Sequence, residues 1–227
     1  MIVAKMTPKE VYKELERDKA NLAAWWSYRR DSLVKKARTK NKFPMLTWFD
    51  HTTPRKNRYL ILSVVYGRRY FKANTTCFVA LQKREDGTAI YFTRLPNQIL
   101  ASPIAILPHA LDRYDQRCAV KKQGLELIKH YVERNYMGQP VEGRQFSGRS
   151  VRYKDRENVC LSVPDGVLLG EMLDNDIFLA HTFITYEDAT GLQRVEFENK
   201  KEEIIPQHEL GNQIRDIYKK KHKPTKP

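Results

Sequence analysis

His109, Arg113 and Arg117 stand four residues apart in the run Leu107-Pro-His-Ala-Leu-Asp-Arg-Tyr-Asp-Gln-Arg117. On a helix, at 100° per residue, the three share a sector of roughly 80°. Ala110, Leu111, Tyr114 and Cys118 take the neighbouring sector, which is apolar enough to dock on a core. Pro108 suits a helix entrance, because its missing N–H is an orphan there anyway. One face therefore buries, and the other offers an imidazole beside two guanidinium groups. That trio suits a phosphate ester: Arg grips phosphate oxygens bidentately, and an imidazole moves protons near neutral pH. At a helix entrance the dipole favours a neutral ring, the form a general base needs. Arg113 and Arg117 would hold the phosphate and offset the charge that develops on it. The same spacing also fits an ordinary amphipathic helix with a solvated basic face.

The elements that must position these residues follow from the hydrophobic periods. Thr7-Pro8-Lys9-Glu10 carries the signature of a helix start, with Thr as N-cap, Pro at N1 and Glu at N3. Val11, Leu15, Leu22, Trp25, Trp26 and Leu33 then recur at helical spacing, which predicts a long amphipathic helix to about Lys36. It either packs across the domain or, through its paired Trp residues, docks a protein partner over residues 7–36. From Met45 the period moves towards two. Residues 46–49, 58–66 and 76–81 are expected as strands, and the Glu85-Asp86-Gly87 turn closes a hairpin over 76–94. Residues 99–107 lead into the His109 helix. A further helix is expected over 121–136, with Leu125, Ile128, Val132 and Tyr136 inward and His130 and Arg134 in solvent. Residues 158–163, the Pro164-Asp165-Gly166 turn, 167–173 and 177–186 form an antiparallel meander. A last helix at about 207–221 precedes a basic tail expected to be disordered. The expected fold is α+β: a mostly antiparallel sheet packed against helices, behind a long N-terminal amphipathic helix. The chain divides into an N-terminal helical extension (1–42), an α+β core domain (43–206) and a C-terminal helix with tail (207–227).

Composition narrows the partner. The 227 residues carry 41 Lys and Arg against 27 Asp and Glu, a formal net charge of +14, with 41% apolar residues. A basic chain with enough apolar content for a core points to polyanions, and nucleic acid is the commonest. Arg144, Arg149, Arg152, Lys154 and Arg156 crowd a Gly- and Arg-rich stretch at 138–156, which suits sequence-independent phosphate contact. Arg68 and Arg69, next to Tyr70 and Phe71, could combine phosphate contact with base stacking. Cys77, Cys118 and Cys160 are too scattered for a disulfide framework or a zinc knuckle, and a cytoplasmic location is the default. His109, His130, His181 and His208 show no metal-ligand spacing, and there is no phosphate-binding glycine loop. No cofactor or metal is implied, and no stretch reaches membrane-spanning length.

On the strand at 177–186, strict alternation would place Thr182, Ile184 and Tyr186 on one face and His181, Phe183 and Thr185 on the other. A hydroxyl and a phenol on one face could flank a phosphate beside the helix. The run His109-Ala-Leu-Asp-Arg113-Tyr-Asp-Gln-Arg117, followed by a meander ending in Thr and Tyr, resembles the barnase, EndoU and RelE-type ribonuclease superfamily, toxin-like members included. The resemblance covers about residues 107–186, and residues 1–100 have no counterpart in it. It implies a curved antiparallel sheet packed against helices and metal-independent cleavage of RNA by attack of the ribose 2′-hydroxyl on the adjacent phosphate. It further implies His109 as acid/base, Arg113 and Arg117 as phosphate binders, and Thr182 (or Thr185) with Tyr186 as strand-borne site residues. The competing expectation is a non-catalytic module that binds nucleic acid, RNA before DNA, with the same basic surface.

Overall fold

The computed structural model describes residues 1–67, 75–93, 103–135, 139–140, 158–173 and 177–189. Helix α1 (Pro8–Arg38) begins with a complete capping box: the Thr7 hydroxyl accepts the Glu10 N–H, and the Glu10 carboxylate accepts the Thr7 N–H. A cap of this kind contributes about 1 kcal/mol. Four strands follow, each antiparallel to the one before: β1 (Met45–Thr52), β2 (Arg58–Val65), β3 (Thr75–Arg84) and β4 (Gly87–Thr93). Next come β5 (Ile104–Ile106), helices α2 (Pro108–Cys118) and α3 (Gly124–Asn135), and strands β6 (Gln139–Pro140), β7 (Asn158–Val163), β8 (Gly166–Leu173) and β9 (Ile177–Ile184). Among the described residues these nine strands form one sheet in the order β1-β2-β3-β4-β5-β9-β8-β7-β6. Among the described strands only the β5–β9 pairing is parallel. The fold is α+β with a mostly antiparallel sheet, as the periods predict.

The two faces of the sheet are covered by different helices. Tyr59, Ile61, Val65, Phe78 and Tyr91 pack with Val11, Leu15, Leu22 and Trp26 of α1. Their neighbours Leu60, Leu62, Val64, Val79 and Ile90 pack on the other side with Leu111, Tyr114, Ile128 and Tyr131 of α2 and α3. Alternation along a strand sends successive side chains to opposite layers, so a sheet covered twice needs apolar residues at every position. That explains why Tyr59 to Val65 of β2 are all buried. Each such aliphatic side chain contributes about 1.5–3 kcal/mol through burial, so Leu15→Ala is expected to cost about 2–5 kcal/mol. Trp26 is spent in this core, and Trp25 stacks on His51, with ring centroids 4.4 Å apart.

Three details of the chain's course differ from the expected pattern. Helix α3 starts at Gly124, because Ala119, Lys121 and Gly124 all adopt positive φ in the α2–α3 link. Strand β9 ends at Ile184, leaving Tyr186 in the turn beyond it. Strand β9 also breaks register: Leu169 opposes Thr182, but Gly170 opposes Ala180, so His181 is an extra residue in a bulge. Gly170 is required there, since a Cβ would lie 2.0 Å from the Leu179 carbonyl oxygen. The Gly- and Arg-rich stretch beyond Pro140 with its five cations, Arg68 and Arg69, and the expected helix at 207–221 lie outside the described residues.

Candidate nucleic-acid interface

Helix α2 is fixed from below and from its start. Ala110, Leu111 and Tyr114 are buried against the sheet, and the Leu107 N–H donates to the Ala180 carbonyl of β9 at 3.1 Å. Tyr114 meets Tyr131 and Phe183 edge-on, with centroids 5.0 and 5.1 Å away. With that face locked, His109, Arg113 and Arg117 are exposed in one row, as their spacing requires. No acidic side chain occupies the first turn, and Leu107 supplies no side-chain cap. The positive end of the helix dipole next to His109 is therefore not offset by a carboxylate or a side-chain cap.

Along this row, Arg113 Nε donates to His109 Nε2 at 3.4 Å, and Arg113 Nη1 donates to Gln116 Oε1 at 3.0 Å. The first contact is long and correspondingly weak. Arg117 Nη1 donates to Asp188 Oδ2 at 3.0 Å, in an ion pair whose side chains are 31% and 45% exposed. Asp188 also accepts the Thr185 N–H at 3.3 Å, and its own N–H donates to Thr185 Oγ1 at 3.2 Å. These Thr185 contacts, led by its hydroxyl, together with Arg117 hold the Asp188 carboxyl below its ordinary range despite the opposing effect of burial. An exposed pair of this kind contributes at most about 1 kcal/mol.

The strand-borne hydroxyls do not join the row as the resemblance implies. The Tyr186 hydroxyl donates to the Val163 carbonyl at 2.8 Å, and Tyr186 packs with Cys160, Val167 and Ala189. Burial raises its phenol pKa. Thr182 opposes Leu169, which borders that same cluster, whereas Phe183 belongs to the layer under α2. Alternation thus puts Thr182 on the face of the sheet away from His109. The bulge turns His181 to the Glu171 side, at 3.1 Å from its carboxylate, so strict alternation does not describe this strand. Of the two threonines, Thr185 is the one linked to the α2 row, through Asp188.

Arg134 is exposed as expected and His130 is half-buried, and both also take part in a polar clasp around Asp165. The Tyr114 hydroxyl donates to Asp165 Oδ2 at 2.9 Å and lies 3.1 Å from His130 Nδ1. Arg134 Nε and Nη2 both bond the same carboxylate, and Asn135 Nδ2 adds a bond at 3.1 Å. Burial pushes the Asp165 carboxyl up, but the bonds from Arg134, Tyr114 and Asn135 pull it further down, and it stays below the ordinary range. For His130, burial and the nearby Lys122 and Arg134 charges depress the ring pKa. Every Asp165 lone pair is committed, so this clasp holds α2, α3 and the β7–β8 turn together and has no acceptor left for a substrate. The only sequence signal for it was Asp165 in a turn, which by itself indicates a turn.

A second buried polar group lies under α1. Asp18 Oδ2 accepts from Asn57 Nδ2 (2.7 Å), the Tyr59 hydroxyl (2.9 Å) and the Thr53 hydroxyl (3.2 Å). Glu14 meets the N-terminal ammonium, Arg55 and Asn57, and the ammonium first among them draws its carboxyl down to about 2. Arg55 and Arg58, basic in the sequence, are thereby paired with Glu14 and Asp50. No group of three or more His, Cys, Asp or Glu suited to a metal ion occurs among the described residues. No described helix is long and apolar enough to cross a membrane.

No known protein family, curated protein or solved structure matches this chain.

Proposed function

We propose that the protein binds nucleic acid, RNA in the first instance, along the exposed row of α2. What carries this reading is the length of the row. His109 and Arg117 are eight residues apart on one helix, a rise of about 12 Å, with Arg113 halfway. That spacing suits an extended polyanion backbone touched in succession. The chain's net charge of +14 supports the same partner class, and so do the five cations between Arg144 and Arg156. The test is binding of labelled RNA in EDTA at about 50 and about 200 mM salt. Arg113→Glu should weaken binding for all sequences and lower the salt slope by about one contact. Unchanged affinity and slope in Arg113→Glu and Arg117→Glu would sink it.

A second reading, metal-independent RNA cleavage of the barnase, EndoU and RelE type, has one observation in its favour. The His109 Nε2 acts as an acceptor beside a guanidinium, the pairing a general base and phosphate binder would use. In this form it rests on His109 and Arg113, with Thr185, just past β9 and linked to Arg117 through Asp188, as the hydroxyl and Tyr186 a structural residue. RNA cleavage in EDTA that disappears in His109→Ala and survives in Tyr186→Phe would support it. Binding with no cleavage would leave the binding module alone.

A further inference from the structure

The C-terminal half of α1 carries a cationic and aromatic ledge that α2 does not use and that meets the core through Trp25. Residues 8–26 hold four Lys or Arg against four Asp or Glu, whereas residues 27–42 hold seven against a single Asp. Trp25, Tyr28, Arg29, Ser32, Lys35 and Lys36 fall in one sector of about 120°. Leu22, Trp26, Leu33 and Ala37, which are buried in the core, occupy a different sector. Arg29, Lys35 and Lys36 are exposed, and Tyr28 is 77% exposed, a large aromatic left in water.

The aromatic part is ordered from behind. Arg29 Cζ lies 5.7 Å from the Trp25 ring centroid and 5.9 Å from that of Tyr28, so one guanidinium sits between two rings. Trp25 is backed by the stack on His51 and by an edge-on contact with Phe49 at 5.8 Å. Cations in the last turn of a helix are favoured by the dipole alone, which accounts for Lys35, Lys36 and Arg38. That account does not extend to Tyr28 and Arg29, two turns earlier.

We propose that this ledge binds single-stranded nucleic acid, with a base stacked on the outer face of Tyr28 and phosphates on Arg29, Lys35 and Lys36. Tyr28 to Lys36 spans about 12 Å of helix, enough for one stacked base and the backbone next to it. Stacking on an aromatic ring is tolerant of sequence, and clustered cations supply the affinity. A membrane surface fits less well, because the apolar face of α1 is already buried against the sheet. The inference rests on nucleic acid being the partner class, but on residues separate from the α2 row, across the sheet from it.

The experiment compares the full chain with Tyr28→Ala, Lys35→Glu/Lys36→Glu and Arg113→Glu. The probes are a single-stranded oligouridine, an RNA duplex of equal length, and phosphatidylserine vesicles. Circular dichroism checks that α1 persists; Tyr28 and both lysines are exposed, so it should. Tyr28→Ala is expected to weaken single-strand binding about 5- to 100-fold and to leave duplex binding unchanged. The double charge reversal should weaken both and lower the salt slope by about two. Wild-type affinity for the single strand in Tyr28→Ala, or vesicle binding without RNA binding, overturns the proposal. If only Arg113→Glu weakens RNA binding, the α2 reading stands and this one falls. If only the α1 variants weaken it, the reverse holds, and a wild-type chain that ignores RNA removes both.

Discussion

The chain holds the same four-residue spacing of His and Arg twice, on adjacent helices, with opposite fates. His109 and Arg113 on α2 face water, their mutual contact is long, and Arg113 Nη2 carries no bond among the described residues. His130 and Arg134 on α3 are drawn onto Tyr114 and Asp165, with the carboxylate saturated by three residues from two helices, Tyr114, Arg134 and Asn135. A His and an Arg one turn apart are therefore chemically uncommitted until a partner arrives from elsewhere in the chain. Where a buried carboxylate arrives, the pair becomes part of the fold. Where none does, it stays available to a ligand, and this difference is why α2 and not α3 is the candidate interface.

The largest test of this contrast is the removal of Asp165. Asp165→Ala takes the carboxylate from the Arg134 guanidinium and removes one of the two partners of both the buried Tyr114 hydroxyl and the Asn135 amide nitrogen, and should cost about 2–4 kcal/mol in urea unfolding. A loss below about 1 kcal/mol would mean the clasp is ornamental and the two His–Arg pairs are equivalent. Next, the double variant His130→Ala/Arg134→Ala should lose about 1–2 kcal/mol, most of it through Arg134's charged bonds to Asp165. Its counterpart His109→Ala/Arg113→Ala should stay within about 0.5 kcal/mol of wild type while weakening RNA binding. The reverse ranking would exchange the roles of the two helices.

Acid should find two histidines first: His130 in the clasp, and His51, whose ring is also held below its ordinary value by burial and by Arg29. The His130 pKa lies below its ordinary 6.5 in the folded protein, so the unfolded chain binds protons more readily in that window. Its contribution is present above 6.5 and is lost as pH falls through the depressed folded value. The depressed carboxyls of Asp165, Asp188 and Glu14 add a second loss as pH falls below the ordinary carboxylate range. Urea midpoints should therefore drop between about pH 7.5 and pH 5, and His130→Gln should shrink that upper step. A midpoint that rises on acidification contradicts the assignment. Tyr186→Phe should cost about 1 kcal/mol for the lost bond to the Val163 carbonyl. It should leave RNA binding, and any cleavage, untouched; loss of RNA function in a folded Tyr186→Phe protein would return the phenol to the site.

Much of the scaffold was legible before any coordinates. The Thr7-Pro8-Lys9-Glu10 box announces α1, the turn at Glu85-Asp86 announces the β3–β4 hairpin, and the α2 spacing announces which side of that helix is wet. Each of these signals is local, acting over one to four residues. The strand site was misplaced for an equally local reason. One inserted residue, His181, changes the facing of everything around it, and a period-two argument has no means of detecting a bulge. The parallel β5–β9 pairing, which ties the start of α2 to the last strand, joins residues about seventy positions apart and leaves no periodic trace.

By itself, then, the order of amino acids determined the three described helices, most described strand positions, the buried side of those helices and the excess of positive charge. Those properties follow from backbone geometry and from the cost of exposing apolar surface, which act along the chain. Tertiary structure alone decided which polar groups were consumed. Asp165 takes Arg134, Glu14 takes Arg55, and Val163 takes the Tyr186 hydroxyl, because buried polar groups must find partners wherever packing brings them. What is left over on α2 and on the end of α1 is decided by that competition.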